Sequence, residues 1–179
     1  MTQQRRVLIT GAGSGLGRAL AVRYARCGAR VACVDLTVER SEETRAMLAG
    51  GSHLALAADV GSDDAMEQLQ QAILAEWRGL DVLINNAGIA SGGSMVETTM
   101  AEWRQILEVD LLSVVRGCRM FLPGMIAAGS GQIISTASFA GLAGAPGLMT
   151  YGVAKAGVVA LSEQLRAEVA CKGIRVSVI

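Results

Sequence analysis

Short apolar runs alternate with longer stretches in which apolar positions recur at helical spacing. Val7-Leu8-Ile9 reads as a buried strand ending in a glycine-rich turn, and Leu16 to Cys27 as a helix stopped at Gly28. Val31 to Val34 is a second strand ending at Asp35, and Val38 to Leu48 a polar helix closed by Gly50-Gly51. Leu54 to Ala57 is a third strand. Asp63 to Trp77 is helical, with Ser62 as its cap. Val82-Leu83-Ile84 is a fourth strand, followed by Asn85-Asn86-Ala87-Gly88. A glycine-bearing loop to Gly93 leads into a long helical region from Met100 to Ala128. There Pro123 is expected to kink the last turns or open a separate short helix. Gln132 to Thr136 is a fifth strand, Tyr151 to Cys171 a helix, and Ile174 to Ile179 a sixth strand.

Strands that are apolar throughout, alternating with helices, predict an α/β fold. Its parallel sheet is covered on both faces and doubly wound by right-handed crossovers. No internal repeat or linker interrupts residues 1–179, so a single domain is expected.

Composition narrows the picture. Hydrophobic residues make up 51% of the chain but aromatic residues only 3%, which suits small side chains packed between close layers. The formal net charge is zero, so electrostatics point to neither a nucleic-acid nor a membrane partner. Cys27, Cys33, Cys118 and Cys171 lack metal-ligand spacing and the one histidine is His53; no metal site is expected, and the thiols read as free and buried. The apolar stretch after Met1 to Arg6 is too short for a signal peptide, and no uninterrupted apolar run is long enough for a bilayer. A cytoplasmic protein is the expectation.

Candidate chemistry begins with Thr10-Gly11-Ala12-Gly13-Ser14-Gly15-Leu16-Gly17, between a strand and a helix. Glycines there allow backbone to approach a pyrophosphate, and the helix N-terminus offers free N–H groups. A plain glycine turn is the alternative. Asp35 ends the next strand, where a dinucleotide site wants an acid for the ribose 2′-OH. A carboxylate would repel a 2′-phosphate, which favours NAD over NADP; a turn or cap residue is the other reading. Tyr151 and Lys155 are four apart on a helix and share a face. An ammonium there favours the phenolate that a proton acceptor requires. Ser138 follows the fifth strand, on the rim where parallel strands end.

Taken together these stretches resemble the short-chain dehydrogenase/reductase family. Thr10–Gly17 is similar to its TGxxxGxG loop, Asp59-Val60 to its adenine-contacting pair, and Asn85-Asn86-Ala87-Gly88 to its NNAG motif. Ser138-Phe139-Ala140-Gly141 resembles its serine segment, and Tyr151-Gly152-Val153-Ala154-Lys155 its YxxxK motif. The resemblance implies a Rossmann fold and NAD held by Gly11, Ser14, Gly15, Leu16, Gly17, Asp35, Asp59, Val60, Asn86, Ala87, Gly88, Tyr151 and Lys155. It implies that Tyr151 exchanges a proton with the oxygen of a small alcohol or ketone, that Ser138 hydrogen-bonds this oxygen, and that Lys155 holds the nicotinamide ribose. It also implies subunit pairing through the helices near 100–128 and 151–171.

Two departures stand out. Asp110 occupies a position where the family usually has asparagine, so Asp110 joins the catalytic candidates, with an upward shift in pH optimum expected. The chain also ends at Ile179, before the family's seventh strand and substrate-covering segment. An incomplete fold is therefore expected, and three functions compete: an NAD-linked oxidoreductase, an inactive NAD-binding or subunit-pairing protein, and a dinucleotide sensor. Ser91, Phe139, Gly144 and Met149 are expected to border a substrate pocket.

Overall fold

The computed structural model describes residues 4–179. Six parallel strands form one sheet: β1 (Arg6–Thr10), β2 (Arg30–Asp35), β3 (Leu54–Ala57), β4 (Val82–Asn85), β5 (Gly131–Ser135) and β6 (Ile174–Val178). Their order is β3-β2-β1-β4-β5-β6. The order reverses direction at β1, between β2 and β4, which is the hallmark of a doubly wound sheet. Val7, Leu8 and Ile9 pair in register with Val82, Leu83 and Ile84, all essentially inaccessible to solvent. This is why these strands read as continuous apolar runs rather than alternating ones.

The helices are α1 (Gly15–Arg26), α2 (Val38–Arg45), α3 (Asp63–Trp77), α4 (Met100–Leu107), α5 (Ser113–Ala128) and α6 (Met149–Glu168). Leu8, Val34, Leu83 and Ile133 pack against Ile73 of α3, Phe121 and Met125 of α5 and Val158 of α6. The opposite side chains, Val7, Ile9, Val31 and Ile84, pack on Ala21 and Ala25 of α1. Alanine on that face lets α1 approach closely. Ser62 caps α3 as expected, accepting from the Ala65 N–H at 3.3 Å. A reciprocal Thr99–Glu102 capping box starts α4.

Several expectations change. The polar helix α2 stops at Arg45, with turns carrying the chain to Leu48. The helix expected from Tyr151 starts two residues earlier, placing Tyr151 in its first turn, and it ends at Glu168 rather than Cys171. The region 100–128 is not one regular helix. A π-helical turn, Glu108–Leu112, separates α4 from α5, whereas Pro123 lies inside a helix that continues past it. Gln70 of α3 donates to the Met120 carbonyl in the turn before Pro123.

Of the thiols only Cys33 and Cys118 are buried, pushed up to about 12 and about 11 by desolvation; Cys27 and Cys171 are exposed. By length and mean composition alone Met100–Ala128 could cross a membrane, although charged residues interrupt its apolar run. Its apolar residues Val114, Cys118, Phe121 and Met125 face the sheet, and Arg116 in its middle pairs with Asp63 and Glu108. His53 has a structural role: Nδ1 accepts from the Val31 N–H at 3.1 Å, and Nε2 lies 3.0 Å from the Ala49 carbonyl.

An arginine clamp joins the amino ends of β1 and β4. Arg6 reaches Asp81 through Nη2 (2.7 Å), Nε (2.9 Å) and its backbone N–H (2.8 Å), and the Trp77 carbonyl through Nη1 (2.8 Å). The hydrogen bond from the Arg6 side chain holds the Asp81 carboxyl below the usual carboxylate range. A depressed folded-state value gives stability that is present above the unfolded value, near ~3.9, and lost as pH falls through the folded one. Asp81→Asn should therefore lower the urea midpoint at neutral pH, and the difference from the parent should shrink on acidification below about pH 4. A gap that stays constant with pH would contradict this account.

Candidate active site

The carboxyl ends of β1, β2 and β4 open into a cleft of about 490 Å³. It brings together all the residues expected at the dinucleotide from the first four strands: Gly11, Ser14, Gly15, Leu16, Gly17, Asp35, Asp59, Val60, Asn86, Ala87 and Gly88. Tyr151 and Lys155 are not among its lining residues.

The floor is backbone packed against backbone. A Cβ on Gly11 would sit 2.9 Å from the Ala87 Cα, and Gly11 has φ +65°, a left-handed conformation that favours glycine. A Cβ on Gly17 would lie 2.1 Å from the Gly11 carbonyl oxygen. Only glycine lets α1 begin this close to the turn. A Cβ on Gly15 would meet nothing within 4 Å, so the N-terminus of α1 opens directly onto the cleft. Ser14 is the N-cap residue but makes no side-chain cap bond, which leaves the first N–H groups of the helix available to an anion.

Asp35 closes the far end and is buried. Its Oδ2 accepts from the Gly13 N–H at 2.9 Å and its Oδ1 from the Leu36 N–H at 3.0 Å. Arg40 stands 3.2 Å from Oδ1 and also donates to the Ser14 hydroxyl at 3.3 Å. The Asp59 carboxylate accepts from the Gly61 N–H at 2.8 Å, which orders the turn that presents Val60. Asn86 spends its side chain within the protein. Its Nδ2 donates to the carbonyls of Thr10 (3.0 Å) and Gly11 (3.4 Å), and its Oδ1 accepts from the Thr136 hydroxyl at 3.3 Å. Asn86 thus shapes the wall of the cleft and ties the ends of β1, β4 and β5.

At the other end Lys155 is almost wholly buried. Its Nζ lies 3.0 Å from Asp110 Oδ2, 3.2 Å from the Thr136 carbonyl and 5.5 Å from the centre of the Tyr151 ring. Gly88 lies over this group: a Cβ there would be 3.3 Å from Nζ. Ser138 is extended and caps a short 3₁₀ turn, Phe139–Gly141, its Oγ accepting from the Ala140 N–H at 3.2 Å. Gly141 in that turn abuts the Lys155 backbone, so the serine segment is packed on α6. Ser135 is buried within β5.

Sequence reasoning missed Gln105 and Val109, which line the cleft from α4 and the π turn and belong to no motif. It also gave no separate role to Thr10 or Thr136. The apolar groove beside the site, about 720 Å³, is lined by Gly144 and Met149, but not by Ser91 or Phe139. Ser91 is instead bonded to Thr150, at 3.2 Å.

A glycine cradle at a helix N-terminus, at the switch point of a doubly wound sheet, defines a dinucleotide-binding class of fold. The sequence model for the short chain dehydrogenase family matches residues 5–179, and the chain belongs to that family. It is 36% identical over 174 residues to D-threitol dehydrogenase of Mycolicibacterium smegmatis, covering 96% of this chain and 67% of that one. It is 36% identical over 171 residues to meso-2,3-butanediol dehydrogenase of Serratia marcescens, covering 96% and 68%. A solved short-chain dehydrogenase from Streptomyces avermitilis superposes with a TM-score of 0.95 at 32% identity, over 99% of this chain and 65% of that one. The chain thus spans about two thirds of the length of these relatives.

Gly17→Ala should drive α1 away from the Gly11 carbonyl. We expect a loss of about 1–3 kcal/mol in denaturant unfolding, the usual cost of overpacking. An unchanged unfolding midpoint would show that the close approach of α1 is dispensable.

Proposed function

We propose that this protein is an oxidoreductase that transfers hydride between NAD and a small secondary alcohol or ketone. The observation that carries the reading is the cleft lined by the glycine cradle and the buried Asp35, with Gly88 at its edge lying against Lys155, whose Nζ is 5.5 Å from the centre of the Tyr151 ring. The open N-terminus of α1 suits a pyrophosphate, and the fixed Asp35 carboxylate suits a ribose diol while repelling a 2′-phosphate. Arg40 offsets part of that repulsion, but its guanidinium is already engaged with Asp35. Family membership supports a nicotinamide cofactor.

In the proposed reaction the nicotinamide, when bound, supplies the hydride acceptor or donor. Tyr151 takes the hydroxyl proton as the alcohol is oxidised, and returns it in reduction. The hydroxyl of Ser138, whose oxygen already accepts from the Ala140 N–H, keeps its own hydrogen free to donate to the substrate oxygen. Lys155 is anchored by the Thr136 carbonyl and offers its remaining hydrogens to a ribose. The polyol and diol names of the two relatives favour a small hydroxylated substrate. Exposed Met100, Leu112 and Val153 on α4, the π turn and α6 support, as part of the same reading, pairing with a second copy through these helices.

Calorimetric titration with NAD and NADP, followed by a screen of vicinal diols and secondary alcohols, tests the proposal. We expect NAD to bind at least about tenfold tighter than NADP, in line with ~1.4 kcal/mol of charge repulsion. Tyr151→Phe should abolish turnover while leaving NAD affinity within about twofold, since removing one hydroxyl outside the main cleft costs little binding. NAD binding without turnover on any substrate would remove the catalytic part of the reading and leave an NAD-binding protein. Asp35→Ser should free Arg40 and shift preference toward NADP; an unchanged preference would argue against Asp35 as the selector.

A further inference from the structure

Asp110 sits in the middle of the π-helical turn and is entirely buried. Its Oδ1 accepts from the Ile89 N–H at 2.8 Å, so the strand-end loop fixes one oxygen. Its Oδ2 lies 3.0 Å from Lys155 Nζ, yet has no aligned hydrogen-bond partner. The contact is therefore one of charge with charge. Gly88 makes room for it, since a Cβ there would stand 2.9 Å from Oδ2. The turn itself contributes: one residue inserted into the helical ladder changes the phase at which Asp110 meets α6.

We propose that Asp110 is a positioning residue that serves as the direct, buried counter-ion of Lys155, fixing the ammonium beside Tyr151 while cancelling much of the field it exerts on the Tyr151 hydroxyl. The proposal rests on the catalytic reading of Tyr151 and Lys155 given above. Two opposite charges in a dry site hold each other in place, because separating or neutralising either leaves the other buried and unpaired. The same closeness makes the pair nearly neutral as seen from Tyr151. An uncharged amide at position 110 could still accept from the Ile89 N–H, but it would leave the full ammonium charge facing the phenol. Within the surrounding elements the titratable groups facing Lys155 are Tyr151 on its own helix and Asp110 on the π turn. Glu108 on the same turn is bonded to Arg116, and the loop 86–90 and the segment 136–141 carry no charged side chain. The counter-ion thus screens the Tyr151 hydroxyl from the ammonium.

The chain has two tyrosines, so a Tyr24→Phe background leaves Tyr151 as the only phenol reporter. Phenolate ultraviolet absorbance can then be followed against pH with no cofactor or substrate present, and far-ultraviolet circular dichroism can check each variant's fold. Asp110→Asn should move the absorbance midpoint down by on the order of one pH unit, the scale of a nearby charge. Lys155→Met should move it up. The double variant, again locally neutral, should return close to the parent. If Asp110 is only a structural residue, Asp110→Asn leaves the midpoint in place and the double variant titrates well above the parent; either result overturns the proposal. Where a single variant with an unpaired charge fails to fold, the comparison of parent with double variant decides alone. Turnover is scored separately by the alcohol screen. Failure of the oxidoreductase reading thus shows as absent turnover, whereas failure of the counter-ion role shows as an unmoved midpoint.

Discussion

The site hangs on Thr10. It is the last residue of β1, buried, and its hydroxyl oxygen accepts from the N–H groups of both Asn86 (3.0 Å) and Ala87 (3.1 Å). Its own carbonyl accepts from the Asn86 side chain. Parallel strands cannot be joined by a tight turn, so β1 and β4 reach each other only through their ladder and through contacts such as these at the ends. The threonine locks the two loops that leave the sheet there, one opening into the glycine cradle and the other passing over Lys155. Leaving those two N–H groups buried and unpaired would cost about 1–3 kcal/mol each. Everything the cleft does to a dinucleotide presupposes that these loops stay apart by a fixed distance.

From that anchor the charges are distributed with little waste. Both oxygens of Asp35 are occupied by backbone N–H groups, so the carboxylate is set in position before any ligand arrives. Such preorganisation removes an ordering cost from binding. At the opposite end the chain buries a full ion pair, Lys155 with Asp110. Burying two charges is expensive, and a pair of this kind is weak evidence of stability. Its location beneath Gly88 and beside Tyr151 instead ties it to the chemistry of the rim. Asp110 enters the pair from the π-helical turn Glu108–Leu112.

The sheet was legible in the sequence because burial on both faces leaves no ambiguity: Val7-Leu8-Ile9 and Val82-Leu83-Ile84 are apolar throughout and bounded by turn residues. The glycine loop was legible because its spacing fell between a strand and a helix. The π turn was not, since Val109-Asp110-Leu111-Leu112 obeys helical periodicity within a residue and only the buried acid hints at a break. Nor was the continuity of α5 through Pro123, a helix held by its packing on the sheet. The contact of Arg40 with Asp35 is a tertiary matter: two side chains five residues apart meet because β2 ends and α2 turns back over the cradle.

The sequence by itself determined the class of fold, the cradle and the identity of the Ser138, Tyr151 and Lys155 candidates, because each is written in local pattern: runs of burial, glycine spacing, and residues four apart on a helix. Tertiary structure alone decided what those groups touch. Asp110 meets Lys155 across the fold, Asn86 in the cleft wall also ties strand ends together, and Asp35 is a carboxylate already held on both oxygens. The physical reason is range. Periodicity and propensity act over a few residues, whereas hydrogen bonds and ion pairs across the rim join strands and helices that only the completed sheet brings together.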